Sequence, residues 1–90
     1  MGKLSELPNI GQKLEKQLND IGVETPEQLR EIGAEKAWLK IQKNDPSACL
    51  LRLSSIEGAI WGLKKDMLPP ERKEELRAFY HEHKLPKRKV

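Results

Sequence analysis

The sequence predicts an all-α fold, a compact bundle of five to six helices whose core contains two consecutive helical hairpins. Apolar residues recur at spacings of three and four along most of the 90-residue chain. Typical helix-start and helix-stop residues separate these segments, and no stretch alternates in the way a half-buried strand does. With 37% apolar residues the chain can build one core, so we expect a single domain over residues 1–84 and a basic flexible tail over residues 85–90.

Three helices are predicted in the first half of the chain. The first covers residues 9–22, where Gly22 ends it as a residue of left-handed backbone. Thr25 then caps a short second helix that stops at Gly33, because Pro26 suits the first helical position and Gln28 completes a capping box. A third helix is expected over residues 34–43. It places Ala37, Trp38 and Ile41 on one face and ends at the segment Asn44, Asp45, Pro46, which we expect also to cap the fourth helix.

The second half predicts one long helix and one final helix. An apolar stripe continues over five turns, which indicates a helix of about 30 Å that is the longest element and central to the core. A neighbouring strip of small residues favours close approach of another backbone, with local flexibility as the alternative. Pro70 begins the last helix. The apolar stripe consists of Cys49, Leu53, Ile56, Ile60, Leu63 and Met67. The strip of small residues consists of Ser55, Gly58, Ala59 and Gly62. The predicted inner face of the last helix consists of Leu76, Phe79, Tyr80 and His83.

Net charge gives only weak support for nucleic-acid binding. The chain carries a formal charge of +3 and has a pI near 9.1. The tail residues Lys87, Arg88 and Lys89 account for all of this excess, so the remainder is neutral. Because phosphate contacts dominate nucleic-acid affinity, a neutral body predicts weak binding unless its charges segregate onto faces.

The most informative motif is Pro8, Asn9, Ile10, Gly11, which looks like the turn of a helix-hairpin-helix (SAM-like) element. Proline fixes such a turn, the isoleucine fills the space between helices, and glycine lets backbone N–H groups approach an anion at a helix N-terminus. Lys13 and Lys16 would then flank a phosphate. The usual pattern has glycine at the second position, and the asparagine in this chain keeps the turn while its side chain occupies the space of a phosphate oxygen.

A second, weaker hairpin is expected at Ile32, Gly33 and Ala34. Glu31 and Glu35 disfavour phosphate there, so we interpret this hairpin as structural. For the first hairpin both interpretations stay open, a structural scaffold and a phosphate site.

An ordered series of motifs over about residues 4–80 resembles the C-terminal domain of the TfoX (Sxy) family of bacterial competence regulators. In that family the domain usually follows a distinct N-terminal domain, and the full-length regulators promote competence-gene transcription together with the cyclic-AMP receptor protein. The resemblance implies a helical fold and a regulatory setting, and it brings no catalytic residues. The motifs are Leu-Pro-Asn-Ile-Gly, Ile-Gly-Val, Thr-Pro-x2-Leu-Arg-x-Ile-Gly-Ala, Asp-Pro-Ser-x-Cys-Leu, Glu-Gly-Ala-Ile-x-Gly and Leu-Pro-x-Glu-Arg-Lys.

Catalytic and metal-binding patterns are weak throughout. His81 and His83 are two residues apart and point about 200° apart on a helix, unlike an i, i+4 zinc pair. Cys49, the single cysteine, lies on the apolar stripe and is interpreted as a core residue. The four aromatic residues, at helical core spacing, are interpreted as core rather than as a stacking platform for single strands, with Trp61 the least certain. We therefore expect no enzyme, cofactor, metal or small-molecule substrate.

Two functional hypotheses follow. The leading one is a cytoplasmic regulatory module that binds a protein partner, either a separate TfoX N-terminal-type domain or a transcription factor. The alternative is weak, sequence-independent DNA binding through the hairpin at residues 8–11, helped by the basic tail. No membrane association is expected, because no apolar run approaches the ~20 residues of a membrane helix.

Overall fold

Five α-helices and two short turns of 3-10 helix form residues 4–84, the part of the chain that the computed structural model describes. Within that range no strand is present, so the predicted all-α class is confirmed. No helix of the described residues is long and apolar enough to cross a membrane. The 3-10 turns are Leu4–Glu6 and Lys65–Met67, and the helices are α1 Gln12–Asp20, α2 Pro26–Ile32, α3 Ala34–Asn44, α4 Leu50–Trp61 and α5 Pro70–His83.

The predicted boundary between α1 and α2 is confirmed. Gly22 has a φ of 90°. Its N–H and that of Val23 donate to the carbonyls of Asn19 and Leu18, the pair of bonds that closes a Schellman C-terminus. Thr25 then caps α2 by accepting a hydrogen bond from the N–H of Gln28. The side chain of Gln28 reaches back to the N–H of Glu24 instead of that of Thr25, which fixes the same turn.

A single residue, Gly33, joins α2 to α3. Its φ of 85° is a conformation that favours glycine, and it turns the chain between two packed helices without a longer loop. All five helices contribute buried apolar side chains to one core. At its centre the fully buried Trp38 makes edge contacts with Phe79 and Tyr80, at centroid distances of 6.1 and 5.7 Å. The predicted inner face of α3 is therefore confirmed, and so is that of α5 at Leu76, Phe79 and Tyr80. The prediction is wrong for His83, which is exposed and stacks on the outer side of the core through Phe79.

The prediction of one long helix from Cys49 to Met67 is wrong. α4 has 12 residues and ends at Trp61, whereas α5 with 14 residues is the longest element. Gly62, with a φ of 75°, terminates α4 in the same way as Gly22 terminates α1, because the N–H of Leu63 donates to the carbonyl of Gly58. Met67 is consequently 68% exposed rather than part of the core.

Two further side chains depart from the predicted core. Trp61 is 51% exposed, and its ring N–H donates to Glu57. Cys49 is half-buried and is the N-cap residue of α4, so the expected cap from Asp45 is also wrong. Asp45 instead accepts hydrogen bonds from Ser47 within its own loop.

The strip of small residues on α4 proves to be a site of close backbone approach. A Cβ atom at Gly58 would lie 2.7 Å from the carbonyl oxygen of Leu63 and 3.2 Å from the nitrogen of Lys65. The segment after α4 therefore folds back against its last turns. Only glycine leaves room for it.

Candidate functional site

Residues 8–11 form a turn between the first 3-10 turn and α1, and their side chains point in different directions. Ile10 is buried in the core, Pro8 is half-buried, and the exposed Gly11 is the N-cap of α1. Asn9 has a φ of 71°, the left-handed conformation that asparagine tolerates better than most residues. As far as the described residues extend, the element before this turn is one turn of 3-10 helix.

The Asn9 side chain faces inward and connects three backbone groups. Its Nδ2 donates to the carbonyls of Leu63 at 2.9 Å and Ser55 at 3.4 Å, and its Oδ1 accepts from the N–H of Lys65 at 3.2 Å. We call this set of contacts the Asn9 clamp. It fastens the N-terminal turn to the end of α4 and explains why asparagine suits a position where related hairpins have glycine.

The lysines predicted beside the hairpin lie in different environments. Lys13 is exposed and lines a surface depression, whereas Lys16 points away along α1 and pairs with Asp20 at 3.2 Å. That exposed i, i+4 pair is worth about 0.3–0.5 kcal/mol. The tail residues Lys87, Arg88 and Lys89 lie outside the described residues.

The second hairpin borders a depression of about 260 Å³ in which opposite charges are paired. Ile32 and Gly33 are half-buried there, and Ala34 is buried. Arg72, the principal cation of this depression, is bound by three carboxylates. This pairing agrees with the structural interpretation of the hairpin. The carboxylates belong to Glu57, Glu75 and Glu35, at 2.7, 3.0 and 3.6 Å.

Glu57 is the only charged residue that is buried within residues 4–84, and both of its carboxylate oxygens accept hydrogen bonds. Its two oxygens accept from Nε and Nη2 of Arg72, and one of them also accepts from the Trp61 ring. The hydrogen bonds that Arg72 donates to Glu57, with a further one to Glu75, raise the pKa of Arg72 above its ordinary value. This network joins α4 to α5 and orients the exposed indole of Trp61.

A basic groove forms beside the turn at residues 8–11, and Asn9 and Gly11 of that turn line it. One depression of about 350 Å³ lies between the start of α1 and the first turns of α4. A second of about 220 Å³ lies between α4, the second 3-10 turn and α5. Leu51 and Lys65 line both, so the two depressions adjoin. We call them together the basic groove, and its defining side chains are Lys13, Leu51, Arg52, Lys65, Lys73 and Arg77.

Charge is segregated in this groove although the body as a whole is not basic. Residues 4–84 contain thirteen lysines and arginines against fourteen aspartates and glutamates, a net charge of −1. The groove concentrates five of those cations with a single lining carboxylate, Asp66. Of the five, only Arg52 has a carboxylate oxygen within 4.0 Å among the described residues.

Arg52 is held in the groove wall by Asp45, whose carboxylate oxygen lies 2.8 Å from Nη1. Asp45 also accepts from Ser47 and from Gln17 Nε2, and these hydrogen bonds, the Ser47 hydroxyl first, hold its pKa well below the ordinary value. The loop before α4 is thus fixed against both α1 and α4. The remaining groove cations, Lys13, Lys65, Lys73 and Arg77, have no carboxylate partner among the described residues. Lys73 Nζ donates to the backbone carbonyl of Asp66 at 2.8 Å.

Leu51 is 64% exposed between these cations. Leu51 lines both depressions of the basic groove, and the half-buried Cys49 lines the first of them. An exposed leucine surrounded by unpaired cations is suited to contact a partner that has both apolar and acidic groups. Sequence reasoning missed Leu51, Lys65, Lys73 and Arg77 because they come from separate segments that only the fold brings together. Within residues 4–84, no three histidines, cysteines, aspartates or glutamates are arranged to hold a metal ion.

These features define a small all-helical domain with an open, positively charged surface groove. The family model described as the TfoX C-terminal domain matches residues 1–80, so the chain belongs to the TfoX C-terminal domain family. This membership confirms the resemblance seen in the sequence. No protein with a curated description is significantly similar to the chain.

Two solved structures from Listeria monocytogenes share the fold. One, described as an uncharacterized protein in a triclinic crystal form, is 41% identical with a TM-score of 0.89 and covers 90% of this chain and 92% of its own. The other, described as a protein of unknown function in a tetragonal form, is 42% identical with a TM-score of 0.86 and covers 88% of this chain and 96% of its own. Their descriptions assign no activity.

Proposed function

We propose that the chain is a non-enzymatic regulatory module that binds a protein partner through the basic groove. The observation that carries this proposal is the exposure of Leu51 between cations that have no internal counterion. Solvating an apolar side chain is unfavourable, and centrally placed apolar residues with a polar rim are the usual anatomy of a protein interface. The partner is then a protein, which supplies an apolar contact that a phosphate backbone lacks.

Membership of the TfoX C-terminal domain family supports a setting related to competence regulation. We further propose that the module acts in the cytoplasm. Its single cysteine cannot form an internal disulfide, which agrees with a reducing compartment. The partner classes that fit this setting are a separate TfoX N-terminal-type domain and a transcription factor.

Site-specific photo-crosslinking tests the proposal in the cells that produce the protein. A photoreactive residue at position 51 is expected to give an adduct of one defined mass that is sensitive to protease and resistant to nuclease. The pair Lys65→Glu and Arg77→Glu should abolish it. The same residue at position 40, exposed on α3 and outside the groove, is the control. No adduct at position 51, equal adducts at both positions, or a nuclease-sensitive adduct would refute the proposal.

DNA binding is a second candidate, and one observation favours it. Gly11 provides no side-chain cap, so the first N–H groups of α1 face solvent beside Lys13, as in a phosphate-binding hairpin. Three to five phosphate contacts predict a slope of about −3 to −4 in a plot of log affinity against log salt concentration. Electrophoretic shifts of duplex DNA measure this slope. The absence of a shift at low salt would remove the candidate.

A further inference from the structure

The residues that line the basic groove also indicate the chemistry of its partner, and this inference rests on the proposed function. Lys73 and Arg77 line the depression toward α5, and Lys65, like Leu51, lines both depressions. Lys13 lines the depression beside the start of α1. An occupant that spans both depressions therefore meets positive charge at each end and an apolar side chain near the middle.

The rest of the surface makes this charge pattern meaningful. The described body has a net charge of −1, so the attraction of the groove for an anionic segment is local and is not caused by a basic protein. The groove repels positive charges in an approaching segment. Carboxylates of that segment that come near the unpaired cations steer its association and fix its register. The single lining carboxylate, Asp66, lies in the second 3-10 turn at the end of the groove toward α5.

We infer that the occupant of the basic groove is an acidic amphipathic segment of another protein. An apolar side chain of that segment packs on Leu51 and faces Cys49, and carboxylates on either side of it pair with Lys13 and with the cluster of Lys65, Lys73 and Arg77. Duplex DNA supplies the negative charge without the apolar contact. Self-association through a second copy of the chain is a separate outcome of the test.

Fluorescence anisotropy with a labelled synthetic peptide tests the inference. The peptide carries leucine flanked on both sides by aspartate and glutamate, and its controls replace either the leucine with serine or the acids with lysine. Leu51→Ser and the pair Lys65→Glu with Arg77→Glu should each weaken binding of the acidic peptide about tenfold. The pair Lys40→Glu with Lys43→Glu, exposed positions on α3 with the same charge change, should weaken it less than twofold.

Cys49 provides a second measurement that does not depend on affinity. It is the only cysteine of the chain and lines the groove, so it should react with a peptide that carries a cysteine already bonded to thionitrobenzoate beside its leucine. The Cys49 thiolate attacks the peptide sulfur of that activated disulfide, forms the mixed disulfide and releases thionitrobenzoate. The acidic peptide should react in higher yield than the lysine control, and Leu51→Ser should reduce the difference.

The outcomes separate this inference from the proposed function. Equal binding of the leucine and serine peptides, or equal disulfide yields, overturns the amphipathic occupant. Concentration-dependent self-association that Leu51→Ser abolishes overturns it in favour of a second copy. Failure of every peptide while the photo-crosslinked protein adduct at position 51 persists overturns the inference and leaves the proposed function intact. Groove-dependent binding of duplex DNA without peptide binding overturns both.

Discussion

Replacing Gly58 with alanine is expected to destabilise the protein, although alanine is the better helix former. In an open helix this change would stabilise by about 1 kcal/mol. Here the new Cβ atom would lie 2.5 Å from Asn9 Nδ2 and 2.7 Å from the Leu63 carbonyl oxygen. The second of these atoms is backbone, so the segment after α4 must shift, and the Asn9 clamp is strained with it.

The magnitude follows from these contacts. Over-packing of this kind costs about 1–3 kcal/mol, and each weakened hydrogen bond of the Asn9 clamp contributes about 0.5–1.5 kcal/mol to that cost. Because one of the close contacts is with backbone, we place the cost in the upper part of this range, about 2–3 kcal/mol, and after the gain of about 1 kcal/mol in helix propensity is subtracted we expect a net loss of about 1–2 kcal/mol. For a domain of this size the loss corresponds to a fall in Tm of about 5–15 °C.

Thermal and urea denaturation followed by circular dichroism measure the effect. Ser54→Ala, a change of similar size elsewhere on α4, is the control and should alter the Tm little. In an Asn9→Gly background, the penalty of Gly58→Ala should shrink by about 0.5–1 kcal/mol, because one of the two closest atoms is then absent. A Tm that rises in Gly58→Ala would refute the close-approach argument.

Three more changes have defined outcomes. Asp45→Asn should flatten the acid side of a stability–pH profile measured from urea midpoints. The pKa of Asp45 is lowered in the folded state, so the Asp45 carboxylate stabilises the wild type above the ordinary pKa of 3.8, and this contribution is lost as the pH falls through the folded pKa. An unchanged acid side of the profile in the variant would contradict this role. Arg72→Met should cost about 2 kcal/mol in urea denaturation by leaving Glu57 unpaired, and adding Glu57→Gln should recover part of it; additive losses would argue against coupling. Gly62→Ala should cost about 1 kcal/mol through its positive φ, and an unchanged midpoint would exclude strain there.

Local signals in the sequence predicted most of the helices. Thr25, Pro26 and Gln28 define the start of α2 through contacts within four residues, and Gly22 and Gly33 end helices through their own backbone preferences. Such rules need no knowledge of the rest of the fold. They succeeded because local sequence and tertiary structure agree at these positions.

The end of α4 shows where the same rules were misapplied. Apolar spacing continues through Leu63 to Met67, and this periodicity outweighed the stop signal of Gly62 followed by an apolar residue. The structure uses that signal, as it does at Gly22. At this position the backbone preference of Gly62 therefore outweighs the continued apolar spacing.

The basic groove could not have been derived from the sequence. Counting charges along the chain gave a neutral body, whereas the fold gathers cations from α1, α4, the second 3-10 turn and α5 on one surface. The role of Asn9 was hidden for the same reason. The sequence indicated that asparagine replaces a glycine. The reason for an asparagine side chain is the hydrogen bonds that it makes with backbone groups of residues distant in the chain.

The Asn9 clamp also bears on the order in which the protein folds. Its hydrogen bonds join positions that are 46 to 56 residues apart, and closing so long a loop is entropically costly. The carbonyls of Ser55 and Leu63 adopt their positions only after α4 has formed its final turn. We therefore expect the N-terminal turn to dock late in folding and to detach early in local unfolding, and the amide proton of Lys65 should report that opening through its exchange with deuterated solvent.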